Sequence, residues 1–428
     1  MSVLKRDVYN TLHAGYDFRE IKMLLGQFSA RPSYLKREFS QKRLLSSQNL
    51  YKCFIVDAMW ENTPRGSHVI LFTRGSDCDI TARVCVRFND YFYIRLKDSV
   101  PASHVQRLVE SYNNFFKRVN FFEKSVAEGE QQLKYLEKYV LSTEVCYDLK
   151  SLYGFRAEEQ RFLKVETASP TITRLLYNFI SKKDFGGRYE FYESNVDLVT
   201  KLFAARGISS CASINIQNFE TKENQSSSCD IDIDCCEYSL ENDESGATFK
   251  GRVMYFDIEC ISTDVNVFPT PDCCAVIQIS YMVCEGPEEK KRGVLCFKET
   301  PGDINECFDT EEGVLIRFSQ LVQEYNPDAL VGFNSNNFDM PYILDRMDHL
   351  NIGWAKQFSK LLRHETVYRR IFKESNQFGT KEVVLYTMPG RLMFDFFEVI
   401  KADVTKKLRS YSLKNICAVY LDDDNKED

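Results

Sequence analysis

Val253-Met254-Tyr255-Phe256-Asp257-Ile258-Glu259-Cys260 is the stretch on which the reading of this chain turns. Its apolar and aromatic run predicts a buried β-strand that ends by presenting Asp257 and Glu259. Carboxylates at i and i+2 of a strand share a face. Two like charges held close in an apolar strand repel each other and lose hydration. A divalent cation that takes hard oxygen ligands, Mg²⁺ or Mn²⁺, removes both penalties. The alternative is an exposed strand end with two solvated acids.

At 428 residues the chain is too long for one ordinary domain. A hydrophobic content of 44%, with 32 Phe and 23 Tyr, is ample for real cores. The formal net charge of −7 argues against a chain coated in positive charge, though not against local nucleic-acid grooves. Fifteen cysteines make an odd count, and no two stand at C-x-x-C spacing. The adjacent pairs Cys235-Cys236 and Cys273-Cys274 suit neither a zinc site nor an ordinary disulfide. No signal peptide opens the chain, and no apolar run approaches the roughly 18 residues of a membrane span. The expected setting is a reducing interior without membrane contact, cytosol or nucleus.

Residues 1–50 form a basic leader with scattered Tyr and Phe, either solvated and partly helical or an arm for nucleic acid. Residues 51–222 mix short strands with helices, an α+β pattern. Strands are expected at Tyr51–Asp57, His68–Thr73, Thr81–Phe88, Tyr91–Leu96, Phe162–Glu166 and Arg188–Tyr192. Helices are expected from an N-cap at Ser103, over Glu130–Leu141, over Thr171–Ser181 and over Asn195–Ala205. Acids accumulate between Glu223 and Glu244 beside a Gln-Ser-Ser-Ser run, so 223–250 reads as an acidic linker or loop, with an acidic metal cluster as the alternative. From 251 to 428 the order is strand Val253–Glu259, strand Ala275–Cys284, a charged turn, strand Gly293–Phe297, helix Glu311–Tyr325, strand Ala329–Phe333 and a helix from Asp339 to Leu350.

The second informative stretch is Leu-Val-Gly-Phe-Asn-Ser-Asn-Asn-Phe-Asp-Met-Pro-Tyr-Ile-Leu, residues 330–344. A buried strand runs into Gly332, and a polar turn carries Asn334 and Asn337. Asp339 then opens a helix whose first turn tolerates Pro341. An aspartate at that place is equally a good N-cap.

Phe-Asp-Ile-Glu followed by Gly-Phe-Asn-x-x-Asn-Phe-Asp-x-Pro-Tyr resembles the first two exonuclease motifs of family B DNA polymerases, nearest to the DNA polymerase delta type and its relatives in large DNA viruses. Further stretches agree in order. They are Phe268-Pro269, Val276–Ile279, Gly390-Arg391 with Asp395, Leu408–Leu413, the Tyr91-Phe92-Tyr93 strand and Tyr192–Val196. Asp90 stands where the family pattern has proline. The likeness covers residues 50–428. It implies an α/β (α+β) N-terminal domain followed by a ribonuclease-H-like DEDD exonuclease domain, incomplete at its C-terminal end, with polymerase palm motifs absent.

The resemblance also implies the chemistry: 3′→5′ proofreading with two Mg²⁺ or Mn²⁺ ions during DNA replication. Asp257 would bind both ions, Glu259 one, and Asp339 the second from across the cleft. Asn334 and Phe338 would line the path of a frayed single-stranded 3′ primer end, although Phe338 is equally a core residue. The family's third site is a Tyr-x-x-x-Asp on a later helix. Tyr420 to Asp424 matches literally but falls too early, in a polar turn, and Tyr411 to Asn415 ends in an amide. One carboxylate short, the chain alone is expected to have feeble nuclease activity or none. Its partners would be DNA, the remaining polymerase segment or replication accessory proteins. Its place would be the nucleus, or the cytoplasm of an infected cell if viral. A non-catalytic remnant binding single-stranded DNA or a partner is a second reading, and a free-standing exonuclease a third.

Overall fold

The structure is a computed structural model and describes residues 50–421, apart from 77–78, 98–100, 125–128, 149–157, 184–188, 224, 263–265, 376–378, 404 and 406–407. The basic leader and Asp424 lie outside the described residues. The chain folds as two compact units, the first made of Lys42–Glu223 with Ile231–Ala247 and the second containing Asn224–Asp230 and Thr248–Asp428.

The first unit holds strands β1 (Leu50–Thr63), β2 (Gly66–Gly75), β3 (Thr81–Arg87), β4 (Asp90–Arg95), β5 (Val140–Asp148), β6 (Gln160–Thr167), β7 (Glu190–Tyr192), β8 (Ser213–Gln217), β9 (Glu220–Thr221), β10 (Ile231–Cys236) and β11 (Leu240–Asn242). Its helices are α1 (Ala102–Arg118), α2 (Pro170–Lys183) and α3 (Leu198–Arg206). A seven-stranded sheet runs β11-β8-β1-β2-β3-β10-β9, and a four-stranded sheet runs β5-β6-β4-β7. The element order β4-α1-β5-β6-α2-β7 within that smaller sheet is a split β-α-β arrangement. Val84 and Val86 alternate with Arg83, Cys85 and Arg87 along β3, whereas β2 carries the continuous apolar run Val69–Phe72, from which Val69 and Leu71 share the core face with Val84 and Val86.

Three expectations are corrected here. The stretch 223–250 is not a linker: β10 pairs in parallel with β3, and Ile231, Ile233 and Cys235 are buried. Their period-two alternation with the acids outweighs the charge, because one face alone suffices to anchor a strand. Glu130–Leu141 is not a helix: a 3₁₀ turn covers Glu130–Tyr135, and Val140 starts β5. The Asn113 side chain accepts from Tyr139 and Val140 N–H (2.8 and 2.9 Å) and donates to Val140 O (3.2 Å), capturing backbone that a helix would need. Ser103 does not cap α1, whose N-cap is Pro101 without any side-chain bond.

The second unit holds β12 (Arg252–Ile261), β13 (Ala275–Glu285), β14 (Glu288–Phe297), β15 (Asn305–Phe308), β16 (Ala329–Gly332), β17 (Val367–Ser375), β18 (Gly379–Thr387) and β19 (Leu392–Asp395). Its helices are α4 (Glu311–Tyr325), α5 (Asp339–His349), α6 (Phe396–Ala402) and α7 (Leu413–Leu421). The main sheet runs β15-β14-β13-β12-β16-β19, with β12 to β14 antiparallel and β16 and β19 parallel to β12. Met254, Phe256 and Ile258 face a core shared with Val314, Phe318 and Ile343 of α4 and α5. This is the ribonuclease-H-like arrangement. The turn between β13 and β14 is shorter than expected, pivoting on Gly286 at φ 56°, so the charged run Glu288–Arg292 is already strand. The hairpin β17–β18 carries no sequence signal strong enough to predict it.

Candidate active site

The burial of β12 alternates as the opening stretch demands: Met254, Phe256 and Ile258 are buried, whereas Asp257 and Glu259 are exposed on the opposite face. Asp257 lies in the wall of a largely apolar groove of about 780 Å³, with Tyr255, Met282, Val331, Phe396 and Ile416 among its other lining residues. The two acids are therefore neighbours on a face that helices cover only in part.

Asp339 is almost wholly buried, 3% exposed, at the first turn of α5. It is not the N-cap of that helix, a place taken by Phe338. Its Oδ1 instead accepts from Ile258 N–H (3.1 Å), one residue beyond Asp257 on β12. Burial, and then the nearby Asp257 carboxylate, push the Asp339 carboxyl up to about 7, against the opposing pull of the Ile258 N–H. The two carboxylates thus disfavour each other's charge, a penalty that a cation would remove. Asp257 and Asp339 are brought together, and Glu259 shares the strand face of Asp257. Among the described residues no three His, Cys, Asp or Glu side chains converge on a metal position.

The donor set fits a hard divalent ion: two carboxylates from different elements, one in an apolar setting, with charge to spare. Solvent or a phosphate oxygen would have to complete the coordination.

The turn before α5 is built to aim Asp339. Asn334 sits in the left-handed region at φ 60°, a conformation asparagine tolerates. Its side-chain oxygen accepts from Asn337 Nδ2 (3.2 Å). The Asp395 carboxylate, buried at the end of β19, accepts from Asn334 N–H (2.8 Å), Asn336 N–H (3.0 Å) and Phe397 N–H (2.9 Å). One acid therefore clamps the turn and caps α6. Tyr386 of β18 donates to Asn336 O (2.8 Å), a contact with no signal in the sequence. Phe338 is half-buried, its ring 5.4 Å from Phe268 on one side and from Tyr342 on the other. Phe268 is 72% exposed, so an aromatic edge reaches solvent beside the acids. Tyr420 donates to Asp403 (3.0 Å), and both residues line the same groove as Asp257.

Gly332 has a steric task in this turn. A Cβ there would meet Ser335 Cβ at 2.5 Å and Phe256 O at 3.1 Å. Gly332→Ala is expected to cost about 1–3 kcal/mol by overpacking and to shift the turn. A melting curve that stays within a degree of wild type, with an unchanged response to Mn²⁺, would contradict this.

The family model for "DNA polymerase family B, exonuclease domain" matches residues 189–416. Similar proteins include the DNA polymerase delta catalytic subunit of Drosophila melanogaster, 26% identical over 363 residues, covering 80% of this chain and 32% of the relative. That of Dictyostelium discoideum is 28% identical over 364 residues, covering 80% and 31%. That of Schizosaccharomyces pombe is 29% identical over 301 residues, covering 65% and 27%. The chain spans about a third of the length of these relatives. The fold resembles the solved family B DNA polymerase of Pyrobaculum calidifontis at a TM-score of 0.57 and 19% identity, over 86% of this chain and 39% of that one. With the match spanning more than half of the chain, and with the sheet and helices in the order described, the chain belongs to DNA polymerase family B, whose exonuclease domain it carries.

Proposed function

We propose that this chain is the proofreading region of a nuclear, replicative DNA polymerase, and that its second unit removes mispaired nucleotides from a single-stranded 3′ end. The observation that carries the proposal is the approach of Asp257 to the buried Asp339, two carboxylates of which one raises the pKa of the other, beside an open groove. Asp257 and Asp339 hold Mg²⁺ or Mn²⁺, with Glu259 as a further ligand once substrate is present. The bound ions supply charge stabilisation for hydrolysis of the terminal phosphodiester. Asp339 is held on Ile258 N–H so that it meets Asp257 without rotating. Phe338 and Phe268 offer faces to an unpaired base, which select by fraying and not by sequence. Asn334 contributes a polar edge to the same path, and Asp395 keeps the turn in place.

The test reads metal before activity. Mn²⁺ is expected to raise the melting temperature of the wild-type chain and to leave Asp257→Ala unmoved. Any shortening of a 5′-labelled single strand should depend on the ion. It should fall in Asp257→Ala by more than the roughly 100-fold that loss of an outer-shell metal partner costs. No response to Mn²⁺ in the wild type would sink the proposal. Salt-sensitive DNA binding without a metal response would mark a binding module instead.

A further inference from the structure

The loop between β12 and β13 places two thiols side by side. Cys273 Sγ lies 3.5 Å from Cys274 Sγ and 3.4 Å from Thr270 Oγ1. Cys273 is exposed and Cys274 is buried beneath it. Hydrogen bonds, chiefly from Thr270 N–H with Cys273 and Ser262 adding to it, hold the Cys274 thiol below its ordinary range despite burial. One sulfur is thus reachable from solvent and its neighbour is primed as a nucleophile.

The segment around the pair is pinned. Arg346 Nη1 donates to Pro271 O (2.9 Å), and Glu311 Oε1 accepts from Val276 N–H (2.9 Å). Arg346 and Glu311 are themselves a buried bidentate pair (2.7 Å for each contact). Between the pins, the Cys274 carbonyl accepts from Tyr342 Oη (2.7 Å). Tyr342 packs on Phe338, and Phe338 on Phe268, so the thiols sit behind the aromatic wall of the acidic site.

We propose that Cys273 and Cys274 are a redox site: a hydroperoxide closes this dithiol to a reversible disulfide, and closure loosens the loop from α5. The Cys273 thiol attacks the peroxide, giving a sulfenic acid and one water (or alcohol). The Cys274 thiol then attacks that sulfur, forming the S–S bond and releasing a second water. Two thiols lose two electrons and the peroxide gains them.

The consequence follows from geometry. Cα atoms of adjacent residues are about 3.8 Å apart, short of the roughly 4.4–6.8 Å that disulfides ordinarily span. Ring closure therefore has to twist the intervening peptide. That peptide carries the Cys274 N–H, which donates to Thr270 O (3.0 Å). With Pro271 and Val276 held, its rotation is passed through Cys274 to the next carbonyl, and Tyr342 loses its acceptor. A strained disulfide is also easily reduced, which makes the step reversible. The redox chemistry stands apart from the nuclease reading; only its effect on the primer path rests on it.

The test treats the whole chain with hydrogen peroxide, blocks free thiols and digests with Asp-N and chymotrypsin to release Asp272–Tyr281, which contains only these two cysteines. The expected peptide lacks two hydrogens, takes no alkylating label and recovers both thiols with dithiothreitol. Cys273→Ser should abolish that product. Amide exchange at Met340 and Tyr342, whose N–H groups bond Ser335 O and Phe338 O, should quicken several-fold on oxidation and not in Cys273→Ser. Two thiols still open to alkylation, a bond to any other cysteine, or unaltered exchange once the disulfide has formed would overturn the proposal. A wild-type chain that forms the disulfide yet never binds Mn²⁺ would refute the nuclease reading alone.

Discussion

Arg391→Met is expected to destabilise the second unit by about 3–5 kcal/mol, the range for breaking a buried, fully bonded charge. Arg391 is 3% exposed. Its guanidinium donates to Phe358 O (2.8 Å), Pro327 O (2.9 Å), Val322 O (3.3 Å) and Asn326 Oδ1 (3.2 Å). Burial pulls its pKa down to about 10, with Asp328 opposing that fall. Methionine fills much of the volume but strands four acceptors, three of them between the end of α4 and the start of β16 and the fourth at Phe358. Lysine keeps the charge without the planar fork and should fall between. The two tryptophans separate the units, Trp60 reporting the first and Trp354 the second. Denaturant unfolding followed through Trp354 in a Trp60→Phe background should show the midpoint drop. A change under about 1 kcal/mol would show that the network is dispensable.

Asp339→Asn should have opposite effects with and without metal. In the folded, metal-free chain burial and the Asp257 carboxylate push the Asp339 carboxyl up to about 7, above its ordinary 3.8. A raised carboxyl pKa means that the folded state keeps the proton longer than the unfolded state. Stability from this group is therefore full below about pH 4 and is lost as pH rises towards 7. The loss is on the order of 2 kcal/mol, since Asp257 shares the titration. Asparagine removes the ionisation, can still accept from Ile258 N–H and can donate to Asp257. The variant should match wild type at pH 4 and be the more stable of the two at pH 8. Saturating Mn²⁺ should reverse that order at pH 8, because only the wild type gains the ion. Equal melting curves at pH 8 without metal would remove the premise that the two carboxylates are in contact.

The β-strand at Val253–Cys260 and the hairpin after it were legible because their apolar positions recur with period two. The same alternation in Ile231–Cys236 was readable too, but it is masked by the acids that fill the other face. Gly390, Arg391 and Asp395 were visible as a pattern without a task. Their tasks depend on contacts far along the chain, Arg391 with Val322 and Pro327, Asp395 with Asn334 and Asn336. Tyr386 gave no sign at all, since a single hydroxyl meeting a backbone carbonyl leaves no periodicity.

The amino-acid sequence by itself determined the order of elements from β12 to α5, the family and the shared face of Asp257 and Glu259, because each of these is local or recurs at a set spacing. Only the tertiary structure decided that Asp339 turns away from capping its helix to meet Ile258 N–H and Asp257. An aspartate at a helix start can serve either end. Which it serves depends on whether a second strand brings an unpaired N–H and a second charge within reach, and that is a property of the packed sheet.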